Sequence, residues 1–185
     1  MDDLDKPLSK EAESLLYRIR PRIDAELQSI KAIPVAILIW GPSPQLDTEC
    51  AKMRRELRNM LRSYGHAAIF SEELYDPSLS DSLRIQQIAH AQEFDLIVSI
   101  PESPGSIAEV HDFAADRRVN AKMLIFLPSE HIDGYSSKSL HALESLIAAQ
   151  IVKYADEDGK EFITNYVIGE AQRIREIKYI LAGRY

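Results

Sequence analysis

Three stretches, IPVAILIW (33–40), DLIVSI (95–100) and AKMLIFLP (121–128), hold continuous apolar runs, the first of them rich in β-branched residues. A strand with one wet face alternates apolar and polar residues. A strand that stays apolar throughout needs cover on both faces, which a parallel sheet between two helical layers supplies. HAAIF (66–70) and QIVKY (150–154) read as two shorter strands, and helical patterns stand between the runs. Strands alternating with helices over short loops require right-handed crossovers. The expected fold class is therefore α/β: a doubly wound, mainly parallel five-stranded sheet of Rossmann or flavodoxin type, helices on both faces, with extra helices at each terminus.

The helical patterns are of unequal quality. Leu15, Leu16, Ile19, Ile23, Leu27 and Ile30 recur at helical spacing, with Pro21 either kinking one helix or starting a second. After Asp47, a candidate N-cap, Cys50, Met53, Leu57, Met60, Leu61 and Tyr64 mark one helix face that stops at Gly65. Ile85, Ile88 and Ala89 stripe another helix, Leu140, Leu143 and Ile147 suggest one more, and Phe162 to Leu181 reads as a long terminal helix. One domain over 1–185 is expected, with a leading helical segment (1–31), a core (33–128) and a C-terminal part holding helices and the last strand (129–185).

Composition narrows the function classes. The lone cysteine, Cys50, cannot form an internal disulfide, and with a polar, acidic start and no apolar run near ~20 residues it points to a cytoplasmic protein without a membrane partner. A formal charge of -7 repels phosphate backbones and disfavours bulk nucleic acid. Two basic clusters, KMRRELR (52–58) and RRVNAK (117–122), read as solvated helix faces or ends.

In a doubly wound sheet ligands bind beyond the carboxyl ends of the strands, which selects the loops GPSPQ, SEELYDP and PESPGS. In ESPGSIAEV (102–110), Ser106 and Glu109 satisfy the S-x-x-E capping box. The same loop, with Ser103, Gly105 and Ser106 directly after a strand, also suits backbone capture of an anion or of ribose hydroxyls, with Glu109 one turn inside. Both readings stand on spacing alone. No metal-ligand spacing accompanies His111 and Asp112, so no metal and no cofactor is expected. Cys50 reads as a structural thiol, Ser43 as a turn or ligand-contacting hydroxyl, and Trp40 as a base-stacking or a packing ring.

DLIVSIPESPGSIAEVHDFAADRRVNAKMLIFLPSE, Asp95 to Glu130, resembles the core of the nucleoside 2-deoxyribosyltransferase-like superfamily, and the likeness extends back to Ile33 through a Gly-containing first loop and SYGH (63–66). It implies an N-glycosidase or transferase in which Glu109 attacks or stabilises the anomeric carbon. It further implies a ligand-contacting set of Gly41, Ser43, Asp95, Ser103, Gly105 and Ser106. Ser103, where the transferases often carry aspartate, resembles the branch that hydrolyses nucleoside 5'-monophosphates, so the expected partner is such a nucleotide; a homo-oligomer is also expected of the family. Gln87 stands where members carry an acidic residue serving the leaving base. That departure leaves Glu72, Glu73, Asp81 and His90 as candidate acids, and keeps open a non-catalytic nucleotide sensor or an NAD glycohydrolase-type signalling or defence module.

Overall fold

The computed structural model describes residues 7–79, 82–101, 110–129, 148–155 and 159–182. The chain divides into two compact units, Met1–Ile33 with Arg175–Tyr185, and Pro34–Ile174. In the first lies α1 (Lys10–Lys31), one helix that runs through Pro21, capped by the Ser9 hydroxyl accepting from the Ala12 N–H. The second holds β1 (Ala36–Trp40), α2 (Glu49–Ser63), β2 (Ala67–Phe70), a short 3-10 turn (Ser71–Leu74), α3 (Leu83–Glu93) and β3 (Leu96–Ser99). Helical residues 110–114 (α4), β4 (Met123–Pro128), β5 (Gln150–Tyr154) and α5 (Gly159–Ala182) follow, α5 continuing into the first unit.

All five strands are parallel, in the order β2-β1-β3-β4-β5. This is the flavodoxin-like doubly wound fold that the apolar runs predict. Side chains alternate across each strand, so β1 sends Ile37 and Ile39 to one face and Leu38 and Trp40 to the other. The first face packs on Met53, Leu57 and Leu61 of α2 and on Ile163, Val167 and Ala171 of α5. The second packs on Ala91 of α3 and on Val110, Phe113 and Ala114 of α4. Each fully buried Ile, Leu or Val is worth about 1.5–3 kcal/mol relative to exposure, and β1, β3 and β4 carry such residues on both faces.

Polar anchors fix the amino edge of the sheet. The Ala36 N–H donates to Asp95 Oδ2 at 2.8 Å, and the Asp95 N–H donates to the Ala36 carbonyl at 2.9 Å, which pins the register of β1 against β3. Lys122 Nζ donates to the carbonyls of Gln92 (2.5 Å) and Phe94 (2.9 Å), a cation at the C-terminal end of α3 where the helix dipole favours it. His66, buried, accepts the Val35 N–H through Nδ1 at 3.3 Å.

Several local expectations change. Thr48 rather than Asp47 caps α2, its hydroxyl accepting from the Ala51 N–H at 3.2 Å, because the helix begins at Glu49 and Thr48 stands directly before it; Asp47 pairs with Lys52 at 3.1 Å. On α3 Ile85 and Ala89 are exposed, whereas Gln86 is buried with its amide bonded to both the N–H and the carbonyl of Asp76. The helix expected around Leu140, Leu143 and Ile147 lies outside the described residues. No helix among the described residues is long and apolar enough to cross a membrane.

Asp116 closes the turn after α4, accepting at Oδ1 from the N–H and Nε of Arg118 (both 2.9 Å) and at Oδ2 from Nη2 (2.6 Å). Hydrogen bonds from the Arg118 side chain, then from its backbone, lower the carboxyl from an ordinary 3.8 to about 2. A depressed folded-state value means that the stabilisation is complete above 3.8 and is lost as pH falls toward 2. An NMR titration should place the Asp116 midpoint near 2, and Arg118→Ala should return it toward 3.8.

Candidate functional site

The order β2-β1-β3 makes the boundary between β1 and β3 a topological switch point: the helix after β1 covers one face, and α4, after β3, covers the other. At such a boundary the loops diverge and leave a crevice beyond the strand ends. Here the two ends abut. The Ile100 N–H donates to the Trp40 carbonyl at 3.1 Å, and a side chain on Gly41 would place its Cβ 3.0 Å from the Ile100 carbonyl oxygen. Gly41 also has φ +153°, a conformation that side-chain-bearing residues rarely adopt. Gly41→Ala is therefore expected to cost about 1–3 kcal/mol, read as a lower urea midpoint, because both the backbone and the contact with Ile100 oppose a methyl group.

Arg54 builds the floor beneath this loop. It is 0 % exposed, although it comes from a helix with a strongly charged sequence. Nη2 donates to the Ile39 carbonyl (2.5 Å) and Glu72 Oε2 (2.7 Å), and Nη1 to Glu72 Oε1 (2.6 Å) and the carbonyls of Pro42 (2.6 Å) and Gly41 (3.3 Å). The guanidinium lies 4.5 Å over the Phe70 ring, with Arg58 at 4.3 Å. One planar fork thus ties the end of β1, the first loop and the turn after β2 into one unit.

The KMRRELR cluster is accordingly not a solvated face. Arg55 bonds the carbonyls of Pro44 (2.5 Å) and Leu46 (3.0 Å), Arg58 bonds Glu73 (3.0 Å), and the next arginine of the helix, Arg62, bonds the Ala68 carbonyl (2.7 Å). Carbonyls at strand and loop ends need donors, and α2 lies alongside them. Sequence reasoning missed Arg54 and Glu72 as a pair. One signal was present: Arg54 stands four residues after Cys50 and three before Leu57, inside the apolar stripe, where a charge demands a partner.

The pairing also bears on proton transfer. Burial pushes the Glu72 carboxyl up, but the hydrogen bonds and charge of Arg54 outweigh it and the net shift is downward. For Glu73, burial likewise opposes the Phe70 N–H and the charges of Arg58 and Arg62, and the result is again downward. A general acid at neutral pH needs its pKa raised, so these two carboxylates are unsuited to protonating a leaving group. Asp81 lies outside the described residues, and His90 is half-buried on α3.

The remaining sequence-selected residues separate by place. Gly41 and Ser43 lie on the first loop at the carboxyl edge, where the Ser43 hydroxyl accepts the Gln45 N–H at 3.4 Å and its carbonyl the Leu46 N–H at 3.1 Å, the turn expected of it. Asp95 is at the opposite, amino edge and its carboxylate is bonded to Ala36, so the structure does not bring it to the same crevice. A cleft of about 300 Å³ does open at that edge, but its charged groups are engaged with protein partners: Asp95 and Lys122 as above, and Arg173 with Glu170 at 2.7 Å. Ser103, Gly105, Ser106 and Glu109 lie outside the described residues, which resume at Val110. Trp40 is 6 % exposed and packs on Phe113 at 4.7 Å between ring centroids, which fits packing rather than stacking on a base; its indole N–H is buried with no partner among the described residues.

Among the described residues no group of three or more His, Cys, Asp or Glu is placed to hold a metal ion. The fold is of a type that carries nucleotide sites, and Gly41 and Ser43 stand on the loop at its carboxyl edge beside the switch point. Comparison of the chain with protein-family models and with curated proteins gives no match.

Proposed function

We propose that the chain binds a nucleoside 5'-monophosphate or a related nucleotide at the β1–β3 switch point and cleaves its N-glycosidic bond through Glu109. The single observation that carries this is the abutment of Trp40–Gly41 and Ile100–Pro101 at the carboxyl edge, because the segment bearing Ser103 to Glu109 continues the chain directly from Pro101. Ser103, Gly105 and Ser106 bind the phosphate or ribose, and Gly41 and Ser43 border the ligand from the first loop. As the bond from the anomeric carbon to the base nitrogen breaks, its electron pair leaves with the base and positive charge grows on the sugar. The Glu109 carboxylate either bonds to that carbon or stabilises the charge, and water or a second base then completes hydrolysis or transfer.

The net downward shifts of Glu72 and Glu73, together with Gln87 in place of an acid, favour a second reading: a nucleotide sensor that binds at the same loops without cleavage. Incubation with a panel of nucleoside monophosphates, nucleosides and NAD, followed by chromatography for free base, separates the two. Base release that requires Glu109 supports the enzyme. Saturable binding with no release from any member of the panel supports the sensor, and absence of both rejects the switch-point site.

A further inference from the structure

Helix α1 has no buried residue along its 22 positions, and its apolar stripe is largely open: Leu16 is 47 % exposed, Ile23 52 % and Leu27 50 %. A hollow of about 500 Å³ runs along Leu16, Ile19 and Ile23, rimmed by Glu13, Arg20 and Asp24. An amphipathic helix of this length derives most of its stability from covering such a face, so the stripe calls for an occupant. The charges beside it state which one.

Glu13, Arg20, Asp24 and Lys31 stand at i, i+7, i+11 and i+18, whole numbers of turns apart, and so form one row on a single flank of the stripe. Their signs run minus, plus, minus, plus. Such a row is complementary to its own reverse: turned end for end about residue 22, Glu13 faces Lys31 and Arg20 faces Asp24, twice each across a two-fold axis. Pro21 points away from the stripe and leaves the contact face unbroken. The one like pairing of the reversed register, Arg22 with its own copy at the axis, has Glu26 one turn away on each chain.

We propose that α1 is a homodimerisation helix, pairing antiparallel with α1 of a second copy of this chain across the Leu16–Ile30 stripe. This inference is independent of any role for Glu109. Glu13 and Lys31 are 18 residues, about 27 Å, apart along one helix and cannot pair within a chain. That separation makes the test specific. The full chain should show a concentration-dependent monomer–dimer equilibrium by sedimentation velocity in low salt. Glu13→Lys and Lys31→Glu each create two like-charge contacts and should weaken the dimer about tenfold. The double exchange should restore it to within about threefold, and Ile23→Asp, at the centre of the stripe, should leave monomer alone, each with unchanged helix content by circular dichroism. A wild-type chain that is monomeric at all concentrations overturns the proposal. So do single variants that dimerise as well as wild type, or a double exchange that fails to recover.

Discussion

Arg54→Met loses about 3 kcal/mol of folding stability, measured by urea denaturation, which is a large share of a small domain's total. A methionine fills most of the space but donates nothing, so the carbonyls of Ile39, Gly41 and Pro42 and the Glu72 carboxylate lose their shared partner at once. The loss stays near the lower end for a broken buried pair because Glu72 is 42 % exposed and can hydrate when released. Replacing Glu72 by methionine as well should cost less than the two single losses added, since neither change then strands the other's charge. The sign with pH is fixed by the net downward shift of Glu72. Its stabilising contribution is present above the ordinary 4.5 and fades as pH falls below it, and that acid-side loss should shrink in Arg54→Met.

The second large effect concerns Glu109→Gln, which should lower the rate of base release about 10³-fold or more, at least ~4 kcal/mol in the barrier, while leaving nucleotide affinity within a few-fold. An amide has nearly the shape of the carboxylate but neither its charge nor its nucleophilicity, so it fails only where positive charge develops on the sugar. The substitution is chosen to separate the two readings of S-x-x-E. Glutamine serves a capping box as glutamate does, so a purely structural Glu109 predicts unchanged activity and stability within about 0.5 kcal/mol. Single-turnover chromatography of the released base, beside equilibrium binding of the same nucleotide, distinguishes these outcomes.

The carboxyl-edge loops were legible in unequal parts. Gly41 is marked by its place after an apolar strand, and the structure adds the reason: its Cβ would press on the Ile100 carbonyl. Spacing alone offers two readings of the loop from Ser103 to Glu109, a capping box and an anion or ribose cradle, and the proposed attack of Glu109 on a sugar carbon comes only from the resemblance around it. Glu72 was visible as an acidic loop residue and a candidate proton donor. Its partner, 18 residues earlier, turns it into a structural anion instead.

Local patterns in the sequence marked the five strands and, among the described residues, the helices that flank them, because continuous apolar runs and helical stripes read the same in any surroundings. Ile37, Ile97 and Ile125 were marked for a two-sided core before any strand order was known. Tertiary structure alone decided what depends on groups far apart in the chain. It set the order β2-β1-β3-β4-β5, hence the switch point between β1 and β3. It sent Asp95 to bind Ala36, 59 residues away at the amino edge, rather than to the ligand loops. It also drew Arg54 and Gln86 inward, since carbonyls and N–H groups at strand and loop ends, fully buried at Ile39 and partly buried at Asp76, take polar side chains from neighbouring helices as partners.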